Sequence, residues 1–346
     1  MLLNQGVRMT AITKINSILD IVSSDNVELN LYFITRVNKE GVSAKAKVID
    51  KYSFKTDRID ISGDMQGFFK DTCKNQLNKV LSITDYELEE YSVITDDLKN
   101  KLYTYALNNA LSFSDVITNQ LLQNKVGSVA SLKDIKKKLW AYCIKIEANN
   151  EVAFIFRKIS SGKVVTDDAQ GFFSKISAKF DTNDAELKPV KEESISFDDK
   201  LDCIFYNNQF LIFAKSGFEK IVGLEEDFIE AANEVITSLQ ETDLIEGVEH
   251  ISENLKGSRA LLKTLANIGK KGNHTTFDSD EIIKMKDTLK KFENKELKIS
   301  DAGKLIIEDK DDVSDFIKLL NDYYKQGVVT GKFYGTNSGQ IIESNN

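Results

Sequence analysis

The chain has 346 residues, and its 46 Lys and Arg against 54 Asp and Glu give a net charge of −8. That balance excludes a protein coated evenly in basic residues for nucleic-acid binding, while leaving room for a local basic face on an acidic body. With 41% hydrophobic and 29% charged residues it is too apolar to be disordered, and at about 100 to 200 residues per domain its length predicts two domains.

In chain order, residues 10–21 place Ile12, Ile15, Ile18 and Leu19 at helical spacing and predict a short amphipathic helix. Residues 29–37 and 42–49 read as the two strands of a hairpin around Asn38-Lys39-Glu40-Gly41, and residues 65–123 as mostly helical with breaks near Thr84 and Phe113. A polar break at Gly127-Ser128 suggests an N-terminal α+β region over residues 1–127 and a larger C-terminal α+β domain over 128–346. In the latter, Trp140, Tyr142, Ile144 and Ile146 share one side of a strand that turns at Asn149-Asn150 into residues 152–157. A second hairpin turns at Asn207-Asn208, two residues suited to positive φ. Helices follow over 225–239, 255–268, 281–292 and 311–325, with a small hairpin of 297–299 and 304–307 between the last two. The fold class is therefore α+β, antiparallel hairpins packed with helices. Gln66-Gly67-Phe68-Phe69 recurs as Gln170-Gly171-Phe172-Phe173. With about 60,000 position pairs against about 160,000 tetrapeptides, chance accounts for one such identity.

The inventory of reactive residues is thin. Cys73, Cys143 and Cys203 lie far apart with no C-x-x-C pair, and His250 and His274 cannot supply H-E-x-x-H, so no metal site and no cofactor is expected and the thiols read as reduced core residues of a cytoplasmic protein. No G-x-G-x-x-G occurs, and Gly327-Val328-Val329-Thr330-Gly331-Lys332 is too short for a phosphate-binding Walker loop and lacks its Ser or Thr. The longest strongly apolar stretch, residues 203–214, is too short for a bilayer span of about 20 residues, and the N-terminus lacks the apolar core of a secretory signal.

Charge patterning supplies the candidates. Residues 254–274 carry Lys256, Arg259, Lys263, Lys270 and Lys271 and no acid, and on a helical wheel Arg259, Lys263 and Lys270 fall within roughly 40° of one another, opposite Leu261, Leu262, Leu265 and Ile268. Gly257 and Ser258 would start this helix, and Gly269 and Gly272 would end it in a basic loop suited to phosphate. A second cluster is Lys133, Lys136, Lys137 and Lys138 before Trp140, and Arg157, Lys158 and Lys163 flank the turn Ser160-Ser161-Gly162. The bland alternative for each is a solvated face or a complement to a helix dipole. Four Glu-x-Lys triplets, beginning at Glu186, Glu293, Glu296 and Glu308, are what roughly chance predicts; only Glu296 sits on a predicted strand with Asp280 or Asp287 upstream, as a metal-dependent nuclease would need.

One ordered series of motifs carries a resemblance. Cys203-Ile204-Phe205-Tyr206-Asn207-Asn208-Gln209-Phe210-Leu211-Ile212-Phe213, then Phe218-Glu219-Lys220-Ile221-Val222-Gly223, Leu261-Leu262-Lys263 and Leu319-Leu320-Asn321-Asp322-Tyr323-Tyr324 resemble the KwaB-like proteins of the Kiwa anti-phage system over residues 132–341. The resemblance implies a bacterial defence component without a catalytic motif that binds DNA and works with a membrane-embedded partner, KwaA. The expected partner is then duplex DNA bound without sequence preference, at a cytoplasmic site recruited to the inner membrane, by a homo-oligomer. Its matching motifs are mostly packing residues, so Lys220 and Lys263 are the ones to test for a binding role. Two alternatives stay open, a metal-dependent nuclease and a protein-interaction module with no nucleic-acid function.

Overall fold

The first strand, β1 (Glu28–Asn38), buried on both faces from Leu29 to Thr35, organises a large mixed sheet. The computed structural model describes residues 2–42, 51–83, 87–91, 101–110, 113–159, 163–165, 178–181, 186–189, 193–255, 258–327 and 329–335. They form two compact units, one from residues 2–91 and 101–223, the other from 224–335.

In the first unit β1 pairs antiparallel with β2 (Tyr52–Ile59) on one side and β6 (Leu139–Ala148) on the other. Also in the sheet are β3 (Glu87–Glu90), β4 (Lys101–Ala106), β5 (Gly127–Ser128) and β7 (Glu151–Lys158). Two short antiparallel pairs stand outside it, β8 (Val164–Val165) with β11 (Ser194–Ile195) and β9 (Ala178–Asp181) with β10 (Glu186–Pro189). With β12 (Cys203–Tyr206) and β13 (Gln209–Ile212) the strand order is β3-β4-β13-β12-β7-β6-β1-β2-β5. Both predicted asparagine turns form, with φ of 54° and 64° at Asn149 and Asn150 and 48° and 61° at Asn207 and Asn208. These left-handed values are ones Asn tolerates, and they match the strand twist.

Both faces of this sheet are covered. One buries Leu31, Phe33, Ile144, Ile155, Ile204 and Leu211 against Ile15 and Ile18 of the Leu2–Ser23 helix and Phe69 and Leu77 of the Gly63–Leu81 helix. The other carries a run of edge-to-face and tilted rings, Phe113 to Phe156 to Phe210 to Phe218, the last on the Lys215–Val222 helix. Each of these fully buried rings contributes on the order of 1.5–3 kcal/mol of apolar transfer energy.

The second unit is mainly helical, with Glu225–Glu241, Val248–Leu255, Arg259–Lys271, Ser279–Glu293 and Lys310–Leu320. Three of these helices start where short polar side chains accept exposed amides: Ser258 from Leu261, Asp278 from Glu281, Asp309 from Asp311 and Asp312. β14 (Ile245–Glu246) pairs parallel with β15 (Leu305–Ile306), and β16 (Tyr324–Gln326) with β17 (Phe333–Gly335) makes a last hairpin.

The α+β class therefore holds, and several local expectations do not. The first helix begins at Leu2 rather than near residue 10. The helical reading of residues 65–123 holds for Gly63–Leu81, but residues 101–106 form β4, because Leu102, Tyr103 and Tyr105 suit a pleated strand and pair along β13. The division expected at Gly127-Ser128 falls on β5, inside the first unit, since β1 and β6 from either side of it are hydrogen-bonded neighbours; the units part between Gly223 and Leu224. The small hairpin of residues 297–307 is a single bridge, Ile299 to Leu305. The strand expected at 42–49 lies, but for Val42, outside the described residues, as do the second Gln-Gly-Phe-Phe, the turn Ser160-Ser161-Gly162, Lys256 and Gly257.

Candidate nucleic-acid interface

A break in strand pairing builds a cationic cleft. The β1–β6 register runs from Glu28↔Glu147 to Ile34↔Ala141, then skips to Thr35↔Leu139, leaving Trp140 as the extra residue. A bulge re-aims its side chain. Trp140 therefore does not join Tyr142, Ile144 and Ile146 in the apolar cluster, as strict alternation predicts. Its indole Nε1 donates to the Ile221 carbonyl at 3.4 Å, on the Lys215–Val222 helix of the same unit.

Two cations lie over that ring. The Arg36 guanidinium carbon is 3.3 Å from the Trp140 ring centre and 4.1 Å from that of Tyr52, and Lys158 Nζ is 3.9 Å from the Trp140 centre. Lys158 Nζ also donates to the carbonyls of Trp140 at 2.6 Å and Ile159 at 2.7 Å. Past the bulge, the Arg36 amide bonds the Lys138 carbonyl at 2.9 Å, which brings the lysine run of residues 136–138 alongside. Those lysines follow a one-turn helix, Leu132–Ile135, capped by Ser131 and by Glu193, whose Oε2 accepts the Leu132 amide at 2.7 Å. The result is a cleft of about 630 Å³ lined by Arg36, Asn38, Lys137, Lys138, Trp140 and Lys158, among others. Lys137 and Lys138 are exposed and make no ion pair with a described residue. Burial first, then the neighbouring charges of Arg36 and Lys220, pull the Lys158 ammonium down to about 8.

Arg157, though adjacent in sequence, belongs to a different construction. Its guanidinium grips Asp198 at 2.9 and 2.8 Å and Asp202 at 2.6 Å, and hydrogen bonding to Asp198 raises its already high pKa. Against the opposing effect of burial, Arg157 and Lys163 hold Asp198 well below the carboxylate range. Asp202 is only 1% exposed; burial pushes it up, and its Oδ2 accepts the Lys158 amide at 2.6 Å. Arg157 thus positions the strand end that carries Lys158.

In the second unit the Arg259–Lys271 helix buries Leu262, Leu265, Ala266 and Ile268 and leaves Lys270 exposed. Lys263 is half-buried with its ammonium 5.4 Å from the Phe228 ring centre, and Lys271 donates to Asn321 Oδ1 at 3.1 Å. Arg259 starts the helix; its side chain lies outside the described residues. Gly269 does not end the helix. It stays in the last turn because a Cβ there would lie 3.0 Å from Val235, while Gly272, at φ 74°, is the left-handed cap. The loop beyond is tied down, Asn273 donating to the Leu320 carbonyl at 2.8 Å and to Asp322 at 3.0 Å.

The structure thus brings together Lys137, Lys138 and Lys158, with Lys136 beside them, and places Arg259, Lys263, Lys270 and Lys271 on a separate unit. Sequence reading overlooked Arg36. It stands in phase with Tyr32 and Ile34 on β1, on a face that also carries Asn30. Among the described residues no three His, Cys, Asp or Glu side chains gather to hold a metal, and Glu296 is paired with Lys290 at 2.5 Å. No described helix is long and apolar enough to cross a membrane.

Neither a curated protein nor a solved structure matches the chain. Residues 136–330, more than half of it, match the family described as Kiwa protein KwaB-like, a span that opens at the lysine run of the cleft and closes at the last hairpin. The chain belongs to the KwaB-like family of the Kiwa anti-phage systems.

Proposed function

We propose that this chain serves anti-phage defence by binding duplex DNA without cutting it, through phosphate contacts that carry no sequence preference. The observation that supports this reading is the gathering of Arg36, Lys137, Lys138 and Lys158 at one cleft of a chain whose net charge is −8. Phosphate binding by such a cluster releases counterions, so affinity should fall linearly with salt on a log–log scale. The Arg259–Lys271 helix, with Lys263, Lys270 and Lys271, offers a second cationic surface. Fluorescence anisotropy of a labelled duplex over a salt series tests the reading. Wild type should bind with a negative slope that the Lys137→Ala/Lys138→Ala variant flattens; absence of binding at low salt would remove the DNA function.

The same reading includes a membrane-embedded KwaA-like partner and a homo-oligomer recruited to the inner membrane from the cytoplasm. Exposed apolar side chains at the last hairpin favour a docking role there, with Val329 97%, Phe333 49% and Tyr334 50% exposed. Co-purification with a KwaA-like protein, lost in Phe333→Ser/Tyr334→Ser, is the expected result.

A further inference from the structure

The second unit holds a cavity that DNA binding does not use. Its Arg259–Lys271 helix packs closely on Glu225–Glu241, with Gly269 against Val235, and is tied to the end of the Lys310–Leu320 helix by Lys271 and Asn273. Between the starts of Arg259–Lys271 and Lys310–Leu320 and the end of Val248–Leu255 lies a cavity of about 600 Å³. That volume falls within the roughly 300–1,000 Å³ of small-molecule sites. Leu261, Val313 and Ile317 bring aliphatic side chains to it, the last two one turn apart on a single helix face. Its charged lining residues are Glu253, Lys310 and Lys318. Lys318 is committed to Glu293 at 3.1 Å and Asp315 at 3.2 Å. Lys310 makes no ion pair with a described residue, and Glu253 has only the His250 ring at 3.7 Å, a partner that is charged only when protonated. An acid and a base therefore line one cavity without pairing with each other.

The neutral polar groups divide in the same way. Beside Glu253, Asn254 gives its amide nitrogen to the His250 carbonyl at 2.8 Å, which leaves its own side-chain oxygen to accept. One turn along from Lys310, the Ser314 hydroxyl makes no hydrogen bond with a described residue, and Ser258 Oγ, which accepts the Leu261 amide, keeps its proton to donate. A fatty acid or a nucleotide would use Lys310 and be opposed by Glu253; a simple amine would meet the reverse. A molecule that carries both an ammonium and a carboxylate on an apolar body satisfies both charges and covers the aliphatic lining.

We infer that this cavity binds a zwitterion with an apolar side chain, its ammonium at Glu253 and Asn254 and its carboxylate at Lys310 and Ser314, supplied either as a free amino acid or as a short peptide. Glu253 and Lys310 are exposed, so salt screens them and affinity should fall as ionic strength rises. Nothing in this site depends on a DNA contact.

The test is isothermal titration calorimetry of the full chain at low salt. Leucine, phenylalanine and leucyl-leucine are the probes, with isocaproate and isoamylamine as analogues that keep one charge each. At least one zwitterion should give saturable heat, and the two analogues should bind about tenfold or more weakly. Glu253→Gln and Lys310→Gln should each weaken zwitterion binding about fivefold or more, and because both side chains are exposed neither should alter the melting curve. Glu253→Gln should leave isocaproate binding no weaker, a result that a general loss of the cavity would not give. Saturation by the single amino acids identifies a free amino acid as the ligand; saturation by leucyl-leucine alone identifies a peptide. Ser314→Trp, a large ring at an exposed lining position, should abolish the heat. Absence of saturation with all three zwitterions overturns the inference, as does isocaproate or isoamylamine binding as tightly as leucine. Affinity unchanged in Glu253→Gln and Lys310→Gln, or saturation retained in Ser314→Trp, overturns it equally.

Discussion

Lys158 is fastened to Trp140 twice, its ammonium 3.9 Å from the ring centre and bonded at 2.6 Å to the carbonyl oxygen of the same residue. The bulge that leaves Trp140 unpaired with β1 makes this double contact, and Asp202 holds the other end by accepting the Lys158 amide. Sheet register, a buried carboxylate and one indole therefore decide where a single positive charge sits.

That charge gives the fold a pH signature. In the unfolded chain Lys158 keeps its proton up to about 10.5, whereas in the folded chain burial, Arg36 and Lys220 lower it to about 8. Below about 8 both states are protonated and the penalty is fully present. Between about 8 and 10.5 the unfolded state binds more protons, so the Lys158 contribution to stability rises with pH across that window. Urea unfolding at about pH 7 and pH 9.5 should show this rise in wild type, and Lys158→Met should reduce it.

Removal of the Asp202 carboxylate should be the most damaging single change near the cleft. Asp202→Ala leaves Arg157 with one acid fewer and the Lys158 amide unpartnered, at a cost of about 3–5 kcal/mol in urea unfolding. Asp198, 28% exposed on its side chain, should matter less when changed to Asn, on the order of 1 kcal/mol.

The Lys215–Val222 helix approaches that carboxylate so closely that only Gly fits at position 217. A Cβ there would lie 2.1 Å from Asp202 Oδ1, so Gly217→Ala should destabilise by about 1–3 kcal/mol or more. In Asp202→Ala the obstruction is gone, and the two changes should combine to less than their sum. A double-mutant cycle measures the difference; strict additivity would refute the contact.

Acid should loosen the second unit through Glu293. Hydrogen bonds from Lys295 and Tyr324, then Lys318, hold its carboxyl down to about 2. A carboxylate lowered in the folded state stabilises above its ordinary value of 4.5, and that contribution is lost as the pH falls toward about 2. Glu293→Gln should therefore flatten the loss of stability between about pH 5 and pH 2, read by circular dichroism.

Salt dependence distinguishes the two cationic surfaces. Each lysine that meets a phosphate adds about 0.9 to the slope of log affinity against log salt, so Lys137→Ala/Lys138→Ala should lower it by nearly 2 if the cleft faces DNA. Lys263→Ala/Lys270→Ala/Lys271→Ala should do the same if the helix does. Anisotropy with both variants assigns the surface.

Much of the local structure was legible because its causes are local. Asn149-Asn150 and Asn207-Asn208 carry their own turn geometry, and Ser258 caps its own helix. The ordered motifs from Cys203 to Tyr324 were enough to place the chain in its family. Arg36 and Trp140 were not legible as a pair, because they lie about a hundred residues apart and meet only through a strand register that slips by one residue.

By itself the sequence determined the α+β class, the turns, the helix faces and a short supply of reactive side chains, all of which follow from residue type and spacing. The tertiary structure alone decided which lysines converge. Charge is conserved when a chain folds, but its position relative to other charges depends on long-range strand pairing. The β1–β6 pairing, reaching across Gly127-Ser128, gathered Lys137, Lys138 and Lys158 around Arg36, while Asp198 and Asp202 drew Arg157 away into the scaffold.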